Sequence, residues 1–191
     1  CAGGEVCMNN VCPVHLAGVL DVFRRMGVKI WQTEPGQLKA QMYRRPLPLG
    51  AVKTGPFPKF CTDAAPLVAA ALLTSTGRTT IEDTVFENRF DCAMEFSKMG
   101  ACALKQGRSV RIWGKEDYAG GKVHAADLRG GAALVCAALA AKGESKIFGL
   151  EYINRGYSDL QRLLSDLGAD ISLQSTEVEK ISLYQKIAKA E

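Results

Sequence analysis

The sequence predicts an α/β fold in which repeated strand–helix units surround buried, alanine-rich helices. Three observations predict it. A helix that ends in glycine recurs three times, a second pattern occurs twice between these helices, and two alanine-rich segments carry almost no charge. The composition agrees, because 47% hydrophobic and 23% charged residues are typical of a globular chain. At 191 residues the chain has room for one large domain made of small units.

The first pattern is an amphipathic helix that leads into a glycine. The three glycines are Gly27, Gly100 and Gly168, separated by 73 and then 68 residues. Each follows Met or Leu, and alternating residues come after it. Glycine adopts the left-handed conformation that ends a helix, so each should turn the chain into a strand. Hairpin turns are then predicted at 34–36 and 106–107.

The second pattern lies between these helices and repeats at a spacing of 66 residues. Gly77 and Gly143 each open a run with alternating apolar residues. An Asn-Arg pair closes each run, at 88–89 and at 154–155. The common spacing of the glycines and the pairs predicts two copies of one structural unit.

Alanine-rich helices are predicted in front of both copies, over 64–76 and 130–142. A helix that is apolar on most faces is buried, and small alanine side chains allow other elements to approach closely. An aspartate, Asp63 or Asp127, precedes each helix. The complete unit therefore reads strand, helix, strand, helix, strand, strand, and the first unit lacks its front part.

These repeats divide the chain into three predicted units, at about 1–50, 51–115 and 116–174. Residues 175–191 are expected to be an extension that forms an added amphipathic helix. The chain begins with Cys and not Met, so we expect it to be cut from something longer or read from a partial gene.

Charge and cysteine content exclude several classes of function. The net charge of +4 is mild and no run of Lys or Arg occurs, which argues against a nucleic-acid partner. No apolar run approaches the ~20 residues of a membrane span and no signal peptide is visible, so we expect a cytoplasmic protein without a membrane partner. Seven cysteines without a CxxC pair predict free, mostly buried thiols. With only two histidines, no zinc site is expected.

Four short segments resemble one enzyme family, the UDP-N-acetylglucosamine enolpyruvyl transferases. The segments are TVFENRF at 84–90, FCTD at 60–63, ADLRG at 126–130 and NRGY at 154–157. Their order and spacing agree with the family over about residues 3–173. The related shikimate-pathway enolpyruvyl transferase shares the fold but lacks the VFENRF string, and it is the weaker match.

The resemblance implies both a fold and an activity. Family members have two similar domains, each an inside-out α/β barrel of three βαβαββ units, and this chain resembles the C-terminal half. The implied reaction transfers the enolpyruvyl group of phosphoenolpyruvate to the 3-hydroxyl of UDP-N-acetylglucosamine and releases phosphate. It is the first committed step of peptidoglycan synthesis, and so serves cell-wall biogenesis, cell shape and cell division. No cofactor and no metal are implied.

The resemblance also assigns roles to individual residues, each of which has a structural alternative. An aspartate before a helix is a favoured N-cap, an arginine is usually a surface residue, and a valine usually lies in a strand core. Arg89 has the further alternative of pairing with Glu87 or a loop. The implied roles are base at the sugar hydroxyl for Asp63, second active-site acid for Asp127, phosphoenolpyruvate binding for Arg129 and Arg155, a backbone contact with the nucleotide sugar for Val85, and a place near the site for Arg89.

Some family parts are absent from this sequence. The loop with the fosfomycin-reactive cysteine belongs to the other domain, as do a lysine and an arginine that hold phosphoenolpyruvate. We therefore expect this chain to need the N-terminal domain of the same enzyme and to have no turnover alone. Cys61, Ala126 and Asn154 replace the family's Pro, Thr and acidic residue. The alternatives are a 3-phosphoshikimate 1-carboxyvinyltransferase-like domain, a non-catalytic nucleotide-sugar-binding module, or a pseudo-enzyme partner.

Overall fold

A computed structural model describes residues 3–174 and 182–185, and it confirms the α/β class. Three sheets surround one hydrophobic core that contains two helices, α2 and α4. The helices are α1 Ala17–Arg25, α2 Ala65–Leu72, α3 Cys92–Lys98, α4 Leu128–Ala140, α5 Leu150–Asn154 and α6 Leu160–Asp166, with short 3-10 helices at Pro13–Leu16 and Thr62–Ala64. The strands are β1 Gly4–Met8, β2 Lys29–Glu34, β3 Gln37–Met42, β4 Gly50–Lys53, β5 Arg78–Glu82, β6 Cys102–Gln106, β7 Ser109–Trp113, β8 Lys122–His124, β9 Ser145–Phe148, β10 Ile171–Gln174 and β11 Ser182–Gln185.

The second and third sheets have the same topology. Their strand orders are β4-β5-β7-β6 and β8-β9-β11-β10. In each sheet the first two strands are parallel and the other pairs are antiparallel. A helix joins each parallel pair, as parallel strands require a crossover connection. The repeat predicted from the two sequence patterns is therefore present in the structure.

The first sheet contains fewer strands. Its order is β1-β3-β2, and both pairings are antiparallel. These strands correspond to the last three strands of the other two sheets. Within the residues that the structure describes, neither a parallel strand beside β1 nor an alanine-rich helix belongs to this unit. Among the described residues, the first unit therefore consists of β1, α1, β2 and β3.

The two alanine-rich helices form the centre of the molecule. α2 and α4 pack against each other, and most residues of both are buried. Glycine in α4 also lets α5 approach closely, since a Cβ at Gly131 would lie 2.7 Å from Cγ1 of Ile153 in α5. The larger apolar residues, such as Leu72 and Leu134, are almost completely buried. Each contributes roughly 1.5–3 kcal/mol relative to an exposed side chain.

The predicted helix ends and turns are confirmed. Gly27, Gly100 and Gly168 have φ angles of 93°, 75° and 93°, which is the left-handed conformation expected after a helix. β2 and β3 form a hairpin with its turn at 35–36. β6 and β7 form another, in which Gly107 has a φ of 56°. Both hairpins follow helices, so each unit ends in two antiparallel strands.

The C-terminal segment differs from its prediction. Residues 182–185 are not helical: they form β11, which pairs with β9 on one side and β10 on the other. The expected helix is therefore wrong for these four residues, and 175–181 and 186–191 lie outside the described residues. β11 occupies the place in the third sheet that β7 occupies in the second. The unit boundaries at about 50, 115 and 174 stay predictions.

The thiols are less buried than the sequence predicts. Cys7, Cys12 and Cys61 are exposed, so the expectation of mostly buried cysteines is wrong for these three. Cys92 is buried, and burial raises its pKa to about 12. No disulfide links the cysteines that the structure describes, and Cys1 lies outside this part.

Candidate active site

Asp63 and Arg129 meet where the buried helices α2 and α4 begin. Asp63 lies in the 3-10 helix that leads into α2, and Arg129 is the second residue of α4. Nη2 of Arg129 donates a hydrogen bond to Oδ2 of Asp63 at 2.7 Å. The two side chains come together because the helices that carry them pack side by side. A hydrogen bond between two charged groups is short and stronger than a neutral one.

Arg129 has a second partner in the third unit. Its Nη1 donates to the hydroxyl of Tyr157 at 2.8 Å, and its guanidinium lies 5.5 Å from the centre of that ring. The hydrogen bond to Asp63 raises the pKa of Arg129, and partial burial opposes this effect. Arg129 is therefore a fixed cation with two oriented hydrogen bonds.

Arg89 approaches Asp63 from the other side. Its Nε donates to Oγ1 of Thr62 at 3.0 Å, and its Nη2 lies 3.5 Å from Oδ1 of Asp63. The guanidinium also covers the ring of Phe86 at 4.2 Å. The side chain of Arg89 is only 11% exposed, whereas that of Asp63 is 52% exposed. The carboxylate of Asp63 is thus open to solvent while two guanidinium groups hold its oxygens.

Asp83, which the sequence analysis did not identify, lies beneath this group. It follows β5 and is completely buried. Its Oδ1 accepts hydrogen bonds from the backbone N–H groups of Val85 at 2.7 Å and Phe86 at 2.8 Å. Its Oδ2 accepts one from the Thr62 hydroxyl and lies 3.9 Å from Nε of Arg89. One carboxylate therefore contacts both the loop after β5 and the segment that carries Asp63.

Asp127 has the helix-capping contacts of an N-cap residue. Its Oδ1 accepts from the backbone N–H groups of Arg129 at 2.9 Å and Gly130 at 2.8 Å. Asp127 therefore is the N-cap of α4, and the cap uses only its Oδ1 and not its Oδ2. The cap considered for Asp63 does not form. The N-cap positions of the 3-10 helix and of α2 are Cys61 and Ala64, and neither start has a side-chain cap hydrogen bond.

The Glu87 pairing considered for Arg89 and the strand-core alternative for Val85 are wrong. Arg89 does not pair with Glu87, whose carboxylate instead accepts a hydrogen bond from Nη2 of Arg108 at 2.8 Å. Val85 does not lie in a strand core. It is 50% exposed and lies in the loop after β5, where its N–H is bonded to Asp83.

Arg155 stands apart from the other predicted residues. It follows α5, and its guanidinium lies 5.4 Å from the centre of the Tyr152 ring. The hydrogen bonds and ion pairs of Asp63 in the described structure reach Arg129 and Arg89 but not Arg155. The structure thus brings together Asp63, Arg129 and Arg89, with Asp127 adjacent through the backbone of α4.

A separate cavity is lined by residues outside this cluster. Its volume is about 310 Å³, and Ile153, Asn154, Asp159 and Leu173 are among the residues that line it. None of the clustered charged residues lines this cavity, so the half-exposed face of Asp63 is the better candidate for chemistry. Among the described residues, no group of three or more His, Cys, Asp or Glu side chains is placed to hold a metal. No helix in the same part of the chain is long and apolar enough to cross a membrane.

Comparison with known families identifies relatives along most of the chain. A family model described as EPSP synthase (3-phosphoshikimate 1-carboxyvinyltransferase) matches residues 1–164. The UDP-N-acetylglucosamine 1-carboxyvinyltransferase 3 of Symbiobacterium thermophilum is 37% identical over 171 residues, which are 90% of this chain and 40% of the relative. The enzyme of the same name numbered 2 from Bacillus subtilis is 39% identical over 183 residues, or 96% of this chain and 42% of the relative.

A shorter relative extends the comparison. The UDP-N-acetylglucosamine 1-carboxyvinyltransferase of Desulfofundulus thermocisternus is 40% identical over 169 residues, and the match covers 88% of this chain and 68% of that protein. The chain thus spans about two fifths of the length of the first two relatives.

Solved structures have the same fold. The enolpyruvyl transferase NikO from Streptomyces tendae superposes with a TM-score of 0.78 at 28% identity, over 87% of this chain and 39% of that one. An EPSP synthase from Acinetobacter baumannii gives 0.69 at 20% identity, over 95% and 42%, which supports the fold alone. The family model, the sequence relatives and the fold agree, and the chain belongs to the EPSP synthase family of enolpyruvyl transferases, among the UDP-N-acetylglucosamine 1-carboxyvinyltransferases.

Proposed function

We propose that this chain forms the C-terminal part of an enzyme that transfers the enolpyruvyl group of phosphoenolpyruvate to the 3-hydroxyl of UDP-N-acetylglucosamine. The observation that carries the proposal is the half-exposed carboxylate of Asp63, held between Arg129 and Arg89 where α2 begins. This arrangement offers a base and fixed cations at one place. Both are needed when a hydroxyl adds to an anionic substrate.

Asp63 is the proposed base. As the sugar oxygen bonds to C2 of phosphoenolpyruvate, an acid of the complete enzyme protonates C3, which becomes a methyl group, and the hydroxyl proton passes to the carboxylate of Asp63. The C–O bond to phosphate then breaks, phosphate leaves, and loss of a proton from the methyl carbon leaves the enol ether. The two guanidinium contacts fix the direction of the Asp63 oxygens, and half of the side chain remains open to an incoming hydroxyl.

Arg129 and Arg155 are the proposed partners of the phosphoenolpyruvate anion. A planar guanidinium pairs with two oxygens of a carboxylate or phosphate at once. Arg129 is already oriented by Tyr157 at the cluster. Arg155 lies apart from it, beside Tyr152, and would join by rotation of its long side chain.

Val85, Asp127 and Arg89 have supporting roles in the proposal. Val85 contacts the nucleotide sugar through its backbone, in a loop that Asp83 fixes. Asp127 serves as the second acid through its Oδ2, since the helix cap uses Oδ1. Arg89 lies beside the substrates and orients Asp63.

The remaining groups come from the rest of the enzyme in this proposal. A loop with a reactive cysteine, a lysine and an arginine would be supplied by the N-terminal domain, and this chain alone would have no turnover. The resulting enzyme would act in the cytoplasm, in peptidoglycan synthesis, without a nucleic-acid partner.

A complementation assay tests the proposal. This chain is mixed with, or fused to, the part of the Bacillus subtilis relative that it does not match, and phosphate release is measured with phosphoenolpyruvate and UDP-N-acetylglucosamine. We expect release from the combination and none from either part. The matched control is the Bacillus subtilis protein divided at the same point.

Three outcomes would contradict the proposal. Phosphate release by the chain alone would refute the need for the other domain. Failure of the combination, when the divided control is active, would refute the catalytic role. Release with 3-phosphoshikimate but not with UDP-N-acetylglucosamine would refute the acceptor.

A further inference from the structure

We infer that Asp83 is a positioning residue that couples the nucleotide-sugar loop to the base, an inference that rests on the proposed function. Its two carboxylate oxygens have different partners. Oδ1 binds the backbone of Val85 and Phe86, and Oδ2 binds Thr62 and faces Arg89. Asp83 therefore links two segments that lie about twenty residues apart in sequence and carry different parts of the site.

The repeat shows that the fold does not require this carboxylate. Gly149 follows β9 where Asp83 follows β5, at the 66-residue spacing of the two units. Gly149 has a φ of 81°, and a Cβ there would lie 2.4 Å from the carbonyl oxygen of Ala125. One copy of the unit thus makes its turn without any side chain. The buried aspartate of the second unit therefore has a role beyond forming the turn, which is its link between the Val85 loop and Thr62.

The charge of Asp83 explains the place of Arg89. A carboxylate that is completely buried is costly unless a cation and hydrogen bonds compensate it. Arg89, at 11% exposure, lies between Asp83 at 3.9 Å and Asp63 at 3.5 Å. Because Arg89 is shared by both carboxylates, its direction relative to Asp63 depends on Asp83.

The division between the two oxygens lets substitutions separate the two effects. Asp83→Asn keeps an oxygen for the N–H groups of Val85 and Phe86 but places an amide donor near Nε of Arg89. Asp83→Ala removes both sets of contacts. The matched control is Thr79→Val. Thr79 lies in β5, about 13 Å along the strand from Asp83, and its buried hydroxyl accepts a hydrogen bond from the Leu49 N–H that valine cannot accept.

The first experiment needs no ligand. Amide hydrogen exchange is measured at Val85 and Phe86 in this chain. We expect protection to fall about tenfold or more in Asp83→Ala and to persist in Asp83→Asn and Thr79→Val, because only the alanine variant removes the acceptor. Unchanged protection in Asp83→Ala would overturn the inference, whether or not the chain binds a substrate.

The second experiment uses the complemented enzyme. We expect Asp83→Asn to lower kcat about tenfold or more while the KM for UDP-N-acetylglucosamine stays within about twofold, and Asp83→Ala to change both. Thr79→Val should change neither. Equal loss of kcat in Thr79→Val and Asp83→Asn would indicate a purely structural role and overturn the inference. If the wild-type combination is inactive beside an active divided control, the proposed function fails, and hydrogen exchange alone decides the role of Asp83.

Discussion

The two buried helices begin in equivalent places but use their aspartates differently. At α4, Asp127 accepts hydrogen bonds from two backbone N–H groups of the first turn. At α2, Asp63 leaves the first turn and pairs with Arg129. Pro66 explains part of the difference, because proline in the first turn has no N–H that needs a partner. A helix start that needs less capping leaves its aspartate available for chemistry.

The largest expected effect is on catalysis at the α2 end. Asp63→Asn keeps the size of the side chain but removes the base, so turnover of the complemented enzyme should fall about 10²–10⁴-fold. The stability of the chain should change little, because Asp63 is half exposed and caps no helix. Steady-state kinetics measures the turnover, and urea unfolding measures the stability. Full turnover in Asp63→Asn would show that the base lies elsewhere.

The second effect, at the α4 end, is on stability. Asp127→Ala leaves two N–H groups of the first turn without their acceptor, and loss of an N-cap costs about 0.5–2 kcal/mol. Asp63→Ala is the matched variant, and it should cost less. Urea unfolding of the two variants compares the helix ends directly. If both lose the same stability, the contrast between the caps is wrong.

The sequence was sufficient for elements with a local signal. Left-handed glycines and uncharged alanine-rich helices are visible in any short window, and both were predicted correctly. β11 was missed because the polar, lysine- and glutamate-containing tail around it favours a helix locally, whereas its pairing with β9 and β10 depends on the sheet. Tertiary contacts decided that segment.

The same reasoning explains which site residues were missed. Glu82 and Asp83 are adjacent acidic residues, and their residue types alone do not show which one is buried. In the structure Glu82 turns outward to Lys53 at 2.8 Å, while Asp83 is completely buried. Comparing Asp83 with Gly149 in the other repeat was the one signal that could have identified it. Tyr157 was part of a recognised motif, but its contact with Arg129 depends on how the segment after α5 folds back to the start of α4, 28 residues earlier.

The third prediction tests the contact between Tyr157 and Arg129. Tyr157→Phe keeps the ring and removes the hydroxyl that accepts from Arg129. A hydrogen bond of this kind contributes about 0.5–1.5 kcal/mol, so the KM for phosphoenolpyruvate should rise about 2–10-fold. The KM for UDP-N-acetylglucosamine should stay constant, since Val85 and Asp83 are untouched. A rise in that KM instead would show that Tyr157 acts on the nucleotide-sugar side.

The smallest effect is on the free energy of unfolding and appears only at high pH. It comes from Cys92, the first residue of α3, whereas α6 begins at the equivalent place with Leu160, which carries no thiol. Burial raises the pKa of Cys92 from 9.0 to about 12, so the folded protein keeps a proton that the unfolded chain loses near pH 9. The stabilising contribution is complete below pH 9, and the free energy of unfolding should fall as the pH rises from 9 towards 12. Burial also raises the pKa of Tyr118. Part of the slope of unfolding free energy against pH therefore remains in any cysteine variant. Cys92→Ala should flatten the slope measured by urea unfolding, and an unchanged slope would place the titration elsewhere.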